Sequence, residues 1–107
     1  MITAKNYIGN KPTSEGSKKL ISFNPANGKS FTEDFRAATE GEVDAAIGAA
    51  MHAFDAYKEK TSNERATFLR AIAQNIEDLG DEMVQRASAE TALPEARIKG
   101  ERGRTCN

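Results

Sequence analysis

Apolar positions along this chain change their spacing near residue 38. Before it, Phe31, Phe35 and Ala37 share one parity with Glu33 between them, while Thr32, Asp34 and Arg36 take the other. That is the period of a half-buried strand. Residues 18–23 form a second run containing β-formers, and Asn24, Pro25, Ala26, Asn27 and Gly28 between the two runs are turn formers. The pattern predicts a β-hairpin over residues 18–37. A short strand at residues 6–8 precedes it, and residues 9–18, rich in Gly, Ser and Lys with one Pro, read as a mobile connection. A lone hairpin is marginal in water, so these strands need a surface to lie on.

After Ala38 the steps become three and four. Thr39 with Glu42 has capping-box spacing, and Val43, Ala46, Ile47, Ala50, Met51, Phe54 and Tyr57 line one face of a helix over about residues 40–58. Gly48, with Ala45, Ala49 and Ala53, thins that helix enough for a neighbour to approach closely. Thr61 or Ser62 caps a second helix, 62–79, striped by Phe68, Leu69, Ile72, Ala73, Ile76 and Leu79 and ended by Gly80. A third helix, 81–91, carries Met83, Val84 and Ala87 and stops ahead of Pro94.

Pro94 opens a fourth helix, 94–107, with Glu95 and Lys99 at i, i+4 spacing and Ile98 as its one large apolar residue. Gly100 and Gly103 each cost roughly 1 kcal/mol of helix propensity relative to Ala. This helix is expected to lack a core face and to fray or borrow a partner chain. The expectation that follows is a reading frame that runs on past Asn107, with the chemistry beyond it. The fold class read from the pattern is an α+β fragment, an N-terminal β-hairpin followed by four helices.

Composition narrows the field. Of 107 residues, 38% are apolar, with five Phe, two Tyr and no Trp, and many of the apolar positions are Ala, so the core is expected to be thin. A formal net charge of −1 gives no electrostatic reason to expect nucleic acid or an anionic membrane. No apolar run approaches a bilayer span and residues 1–10 lack the apolar stretch of a signal peptide, so the expected location is cytoplasmic.

Candidate chemistry is sparse. His52 has no Cys, second His or suitable carboxylate pair near it, apart from Asp55 three residues on, and reads as an ordinary surface histidine in preference to a ligand or catalytic base; no metal site is expected. Cys106 has Arg102 and Arg104 within four residues, which could lower a thiol pKa, but base and oxyanion site are missing. The Gly100 to Thr105 stretch is neither a dinucleotide fingerprint nor a P-loop. Arg97, Lys99, Arg102 and Arg104 form a basic cluster, interrupted by Glu95 and Glu101 and free of aromatic residues for base stacking. No catalytic, cofactor-binding or metal residue is assigned on these grounds.

The order of the segments nevertheless resembles the N-terminal portion of the aldehyde dehydrogenase superfamily. The resemblance is carried by Phe23-Asn24-Pro25-Ala26-Asn27-Gly28, by Ala38-Thr39-Glu40-Gly41-Glu42-Val43-Asp44-Ala45-Ala46, and by Ala49-Ala50 with Ala53-Phe54. It continues through Asn63-Glu64-Arg65-Ala66-Thr67-Phe68-Leu69 with Ile72-Ala73, and Glu90-Thr91-Ala92-Leu93-Pro94. Within the superfamily, the stretch after Leu93 is similar to the branch that oxidises 2-oxoglutarate semialdehyde (2,5-dioxopentanoate) to 2-oxoglutarate. Two positions depart from the usual pattern: Ala92, where Gly is common, and Tyr57, where Trp is common. Ala92 would be strained if its position needs a positive φ.

The resemblance implies an intact α/β enzyme, an NAD(P)-dependent oxidoreductase acting on a small aldehyde and forming a homo-oligomer, with no nucleic-acid or membrane partner. Its family chemistry uses a cysteine thiolate, hydride transfer to the nicotinamide and a glutamate that activates water. Those residues and the cofactor loop lie later in the family's sequence, Cys106 does not match the nucleophile motif, and residues 1–107 are expected to bind no NAD or NADP and to be inactive alone. Glu101, Arg104 and Thr105 match positions beside the family's substrate tunnel. For Arg104 a buried structural salt bridge is preferred over contact with a substrate carboxylate. The alternative is a free-standing helical protein-interaction module that binds through the stripe of its first helix.

Overall fold

The computed structural model describes residues 2–107. Four short strands, β1 (Asn6–Ile8), β2 (Lys11–Thr13), β3 (Lys19–Leu20) and β4 (Phe35–Arg36), precede four helices, α1 (Glu40–Lys58), α2 (Ser62–Asp78), α3 (Gly80–Thr91) and α4 (Glu95–Cys106). The chain divides into two units, one joining the residues up to Ser22 with Ser30–Glu59, the other joining Phe23–Lys29 with Lys60–Asn107.

In the first unit, Gly9 and Asn10 both hold positive φ, 54° and 63°. That is the demand of a two-residue type I′ turn, which suits the twist of the flanking strands. It pairs β1 with β2 antiparallel, Asn6 opposite Thr13 and Ile8 opposite Lys11. Residues 9–13 are therefore a turn and a strand and not part of the mobile connection the composition suggested, while residues 14–18 carry no regular secondary structure. Gly9 and Asn10 serve the turn, and Gly16 is buried because its backbone meets that of Ala37: a Cβ on Gly16 would lie 1.8 Å from the Ala37 carbonyl oxygen. The expected hairpin of residues 18–37 is present with a short ladder, Lys19 opposite Arg36 and Leu20 opposite Phe35. Further bonds run from the Phe31 N–H to the Ser22 carbonyl and from the Ala37 N–H to the Lys18 carbonyl, each 2.9 Å. Parity holds for Phe31, Glu33, Phe35 and Ala37, all half-buried, but Arg36 is half-buried too. Its guanidinium binds Asp34 at 2.7 Å and reaches the Gly16 carbonyl at 3.4 Å.

Helix α1 starts at a complete capping box between Thr39 and Glu42. Its stripe stays open: Val43, Ile47, Met51, Phe54 and Tyr57 are all exposed, Met51 by 69%. A Cβ placed on Gly48 meets no atom within 4 Å, so among the described residues no neighbour exploits the small side chains there.

In the second unit, residues 23–29 fold into the expected turn. Asn24 donates its N–H to the Lys29 carbonyl at 2.8 Å, and the Asn24 and Asn27 side chains accept from the N–H groups of Ala26 and Lys29, each at 2.9 Å. Thr61, not Ser62, caps α2 and closes a box with Glu64. Gly80, at φ 60°, turns the chain straight into α3 after Leu79. Helix α3 ends at Ala92, held at φ 59°, ψ 15°, so the strain that the sequence made conditional on a positive φ is present. Ser88 braces this corner by donating its hydroxyl to the Leu93 carbonyl at 2.6 Å.

The thin core is confirmed: among the described residues Val84 alone is a buried hydrophobic side chain. The expectation that the last helix lacks a seam needs correction. Helix α4 packs against α2 and α3. Its inner edge is Ile98, Arg102 and Cys106, spaced by four residues and all half-buried. Arg102 donates to the Gly80 carbonyl at 3.0 Å and pairs with Glu77 at 3.4 Å, while the Cys106 thiol points at the Ala73 carbonyl, 3.6 Å away. A scan for apolar stripes passes over a seam made of one isoleucine, a guanidinium and a thiol.

Candidate functional site

The residues singled out for function gather on α4, and the structure sorts them between two faces. On the outer face Glu101 is gripped twice within the helix, by Arg97 at 2.8 Å and by Arg104 at 3.0 Å. These are the i, i+4 and i, i+3 neighbours a helix surface brings together. Thr105 donates its hydroxyl to the Glu101 backbone carbonyl at 3.0 Å. Glu101, Arg104 and Thr105 thus form one local cluster. Arg104 has a salt bridge, but it is not buried in this chain: its side chain is 83% exposed.

Every cation of the basic cluster has a carboxylate. Besides the two arginines on Glu101, Lys99 meets Asp81 at 3.5 Å and Arg102 meets Glu77. The Glu95 to Lys99 pairing expected from spacing is replaced by this contact between α4 and the start of α3.

Cys106 sits on the inner face, and its thiol is pushed up from the ordinary cysteine value. Burial is the largest cause, the Glu77 carboxylate adds to it, and Arg102 opposes it. A thiol held protonated is a poor nucleophile. The arginine that the sequence suggested as an activator is engaged by Glu77 and Gly80 instead.

Gly100 and Gly103 lie inside α4, with open space where a Cβ would be. A pyrophosphate cradle needs a loop between a strand and a helix N-terminus, so this stretch does not fit a nicotinamide dinucleotide. His52 is exposed in a shallow depression with Gly48, Met51 and Asp55. Among the described residues no group of three or more His, Cys, Asp or Glu side chains could hold a metal ion.

Sequence reasoning missed one polar centre. Glu42, recognised as a capping residue, is the buried charged residue among those described, 4% exposed. The Thr13 hydroxyl, first, and the Thr39 N–H, next, hold its carboxyl below the ordinary glutamate range. No signal in the sequence links Thr13 to a residue 29 positions away.

Comparison with known proteins agrees with the resemblance seen in the sequence. Residues 12–107 match the aldehyde dehydrogenase family. The chain is 41% identical over 105 residues to alpha-ketoglutaric semialdehyde dehydrogenase 2 of Azospirillum brasilense, covering 97% of this chain and 20% of that protein. It is 37% identical over 100 residues to alpha-ketoglutaric semialdehyde dehydrogenase of Acinetobacter baylyi, covering 94% and 19%. With aldehyde dehydrogenase [NAD(P)+] 1 of Saccharomyces cerevisiae the identity is 36% over 91 residues, covering 82% and 18%. The chain spans about a fifth of the length of these relatives. With a match that runs through both units, from the end of the first hairpin to the last helix, the chain belongs to the aldehyde dehydrogenase family.

Proposed function

We propose that this chain is the N-terminal part of an NAD(P)-dependent enzyme that oxidises 2-oxoglutarate semialdehyde to 2-oxoglutarate, and that residues 1–107 alone have no turnover. The observation that carries the substrate is the likeness, over nearly the whole chain, to two relatives bearing that name. The thiol of Cys106, half-buried and pushed up by burial, and the α4 glycines, unsuited to a dinucleotide, support an inactive segment. In this reading the nicotinamide cofactor accepts the hydride, and the residues that hold it lie in the remainder of the protein. This chain's helices supply scaffold, and the outer face of α4, with Glu101, Arg104 and Thr105, borders the substrate path.

The same reading makes the intact protein a cytoplasmic homo-oligomer acting on a small aldehyde. No helix among the described residues is long and apolar enough to cross a membrane. The paired cations of α4 leave little free positive charge for nucleic acid.

The test uses the complete gene product. Reduced nicotinamide formation is followed with 2-oxoglutarate semialdehyde and with propionaldehyde, which lacks the carboxylate. The expected result is a clear preference in kcat/KM for the charged substrate, unchanged in Cys106→Ser, and no turnover by residues 1–107. Equal or better use of propionaldehyde would overturn the substrate; loss of turnover in Cys106→Ser with the fold intact would overturn the thiol's assignment.

The open stripe of α1 favours a second reading, a helical interaction module. A complete gene product that oxidises no aldehyde and binds a protein partner through Met51 and Phe54 would establish it.

A further inference from the structure

The two oxygens of Glu42 serve two different segments. Oε2 accepts the Thr39 N–H at 2.9 Å and lies 3.4 Å from the Thr39 hydroxyl, closing the cap of α1. Oε1 accepts the Thr13 hydroxyl at 2.5 Å and the Glu15 N–H at 3.3 Å, holding the chain where it leaves β2. Elsewhere the arm is held by the packing of β1 against α1 and by the 3.4 Å bond from Arg36 to the Gly16 carbonyl. Its strands are three residues long, Tyr7, Lys11 and Pro12 are exposed, and Ile8 is half-buried. Gly16 fits closely against Ala37, but that contact is shape without a side chain.

We propose that residues 6–16 form a releasable strap latched by Glu42, and that opening the strap uncaps α1. The coupling comes from the shared carboxylate. Each oxygen receives one backbone N–H, a group that can only donate. When Thr13 and Glu15 leave, the carboxylate regains its rotamer freedom and water competes for it, so the Thr39 N–H loses a fixed acceptor. An amide in place of the carboxylate cannot satisfy both sides. Whichever way it is turned, its NH₂ faces a backbone donor. This makes Glu42 a conformational link between the N-terminal arm and the first turn of α1.

The test is hydrogen exchange on the complete gene product carrying Thr13→Val or Glu42→Gln. Thr13→Val removes a strap bond and no cap partner. The proposal expects both variants to exchange about tenfold faster at residues 11–16 and also at residues 39–43, with α2 to α4 unchanged. Thr13→Val that accelerates residues 11–16 alone would overturn the coupling, and no acceleration at residues 11–16 would overturn the latch. If Glu42→Gln fails to fold, Thr13→Val decides the matter by itself.

Discussion

Arg102 donates from its guanidinium to the carbonyl of Gly80 at 3.0 Å, tying the last helix to the corner where α2 gives way to α3. The side chain is 18% exposed and also reaches Glu77, so three helical segments converge on one residue. Arg102→Met keeps much of the stem packing and removes both polar contacts. A loss of about 1.5–3 kcal/mol is expected, as for a hydrogen bond to a charged group with an acceptor left behind. Urea unfolding monitored by circular dichroism measures it; a midpoint equal to that of the parent would show that the seam rests on Ile98 and Cys106.

Ala92 bears a left-handed backbone that glycine adopts freely. Ala92→Gly is expected to stabilise the α3 to α4 corner by about 1 kcal/mol, and a β-branched Ala92→Val to destabilise it by more than that. Thermal midpoints of the two variants should fall on opposite sides of the parent. The same direction of change in both would refute the strain.

Two glycines should respond in opposite ways to an added methyl group. In Gly16→Ala the new Cβ meets the Ala37 carbonyl, a backbone atom that cannot swing aside, and a cost of about 2 kcal/mol or more is expected. In Gly48→Ala nothing stands within 4 Å, and helix propensity alone favours the change by about 1 kcal/mol. Made in the complete gene product as well as in residues 1–107, the second variant also reports on packing. A stabilised segment with a destabilised complete protein would mean that another element presses on α1 there.

Acid should loosen the starts of α1 and α2. In the folded chain Glu64 is held below the ordinary glutamate range by the Thr61 N–H and then the Thr61 hydroxyl, and Glu42 by the bonds already described. A carboxyl whose value is depressed by folding binds protons more weakly in the folded state. Its contribution is therefore complete above the ordinary glutamate range and disappears as pH falls through it towards the folded value. Glu64→Gln is expected to lower stability at neutral pH and to flatten the acid limb of the stability profile. A parent-like acid slope in that variant would remove Glu64 from the account.

Much of the fold was legible because its signals are local. Thr39 with Glu42 and Thr61 with Glu64 mark helix starts through atoms three residues apart, and the Asn24 to Gly28 turn carries its own hydrogen-bond acceptors. In the first hairpin the sequence predicts β1 but not β2, because Gly9 and Asn10 sit in a stretch of linker-like composition and Lys11 to Thr13 carry no apolar alternation. The seam of α4 and the reach of Glu42 to Thr13 were hidden for a different reason. Both depend on polar side chains meeting partners in other elements, and apolar periodicity carries no trace of that choice. As for candidate function, Glu101, Arg104 and Thr105 came from the family resemblance, and their contacts with one another are the local ones of a helix surface. The sequence could not show that Arg102 is engaged at the helix corner while Arg104 points into solvent.

The docking of α4 also bears on how fast the chain folds. Its contacts join residues close in sequence: Arg102 to Gly80 spans 22 residues and Cys106 to Ala73 spans 33. Little chain entropy is lost in closing loops of that size, and assemblies dominated by such short loops fold in roughly microseconds to milliseconds. Helices α2, α3 and α4 can therefore find one another without waiting for partners far along the chain.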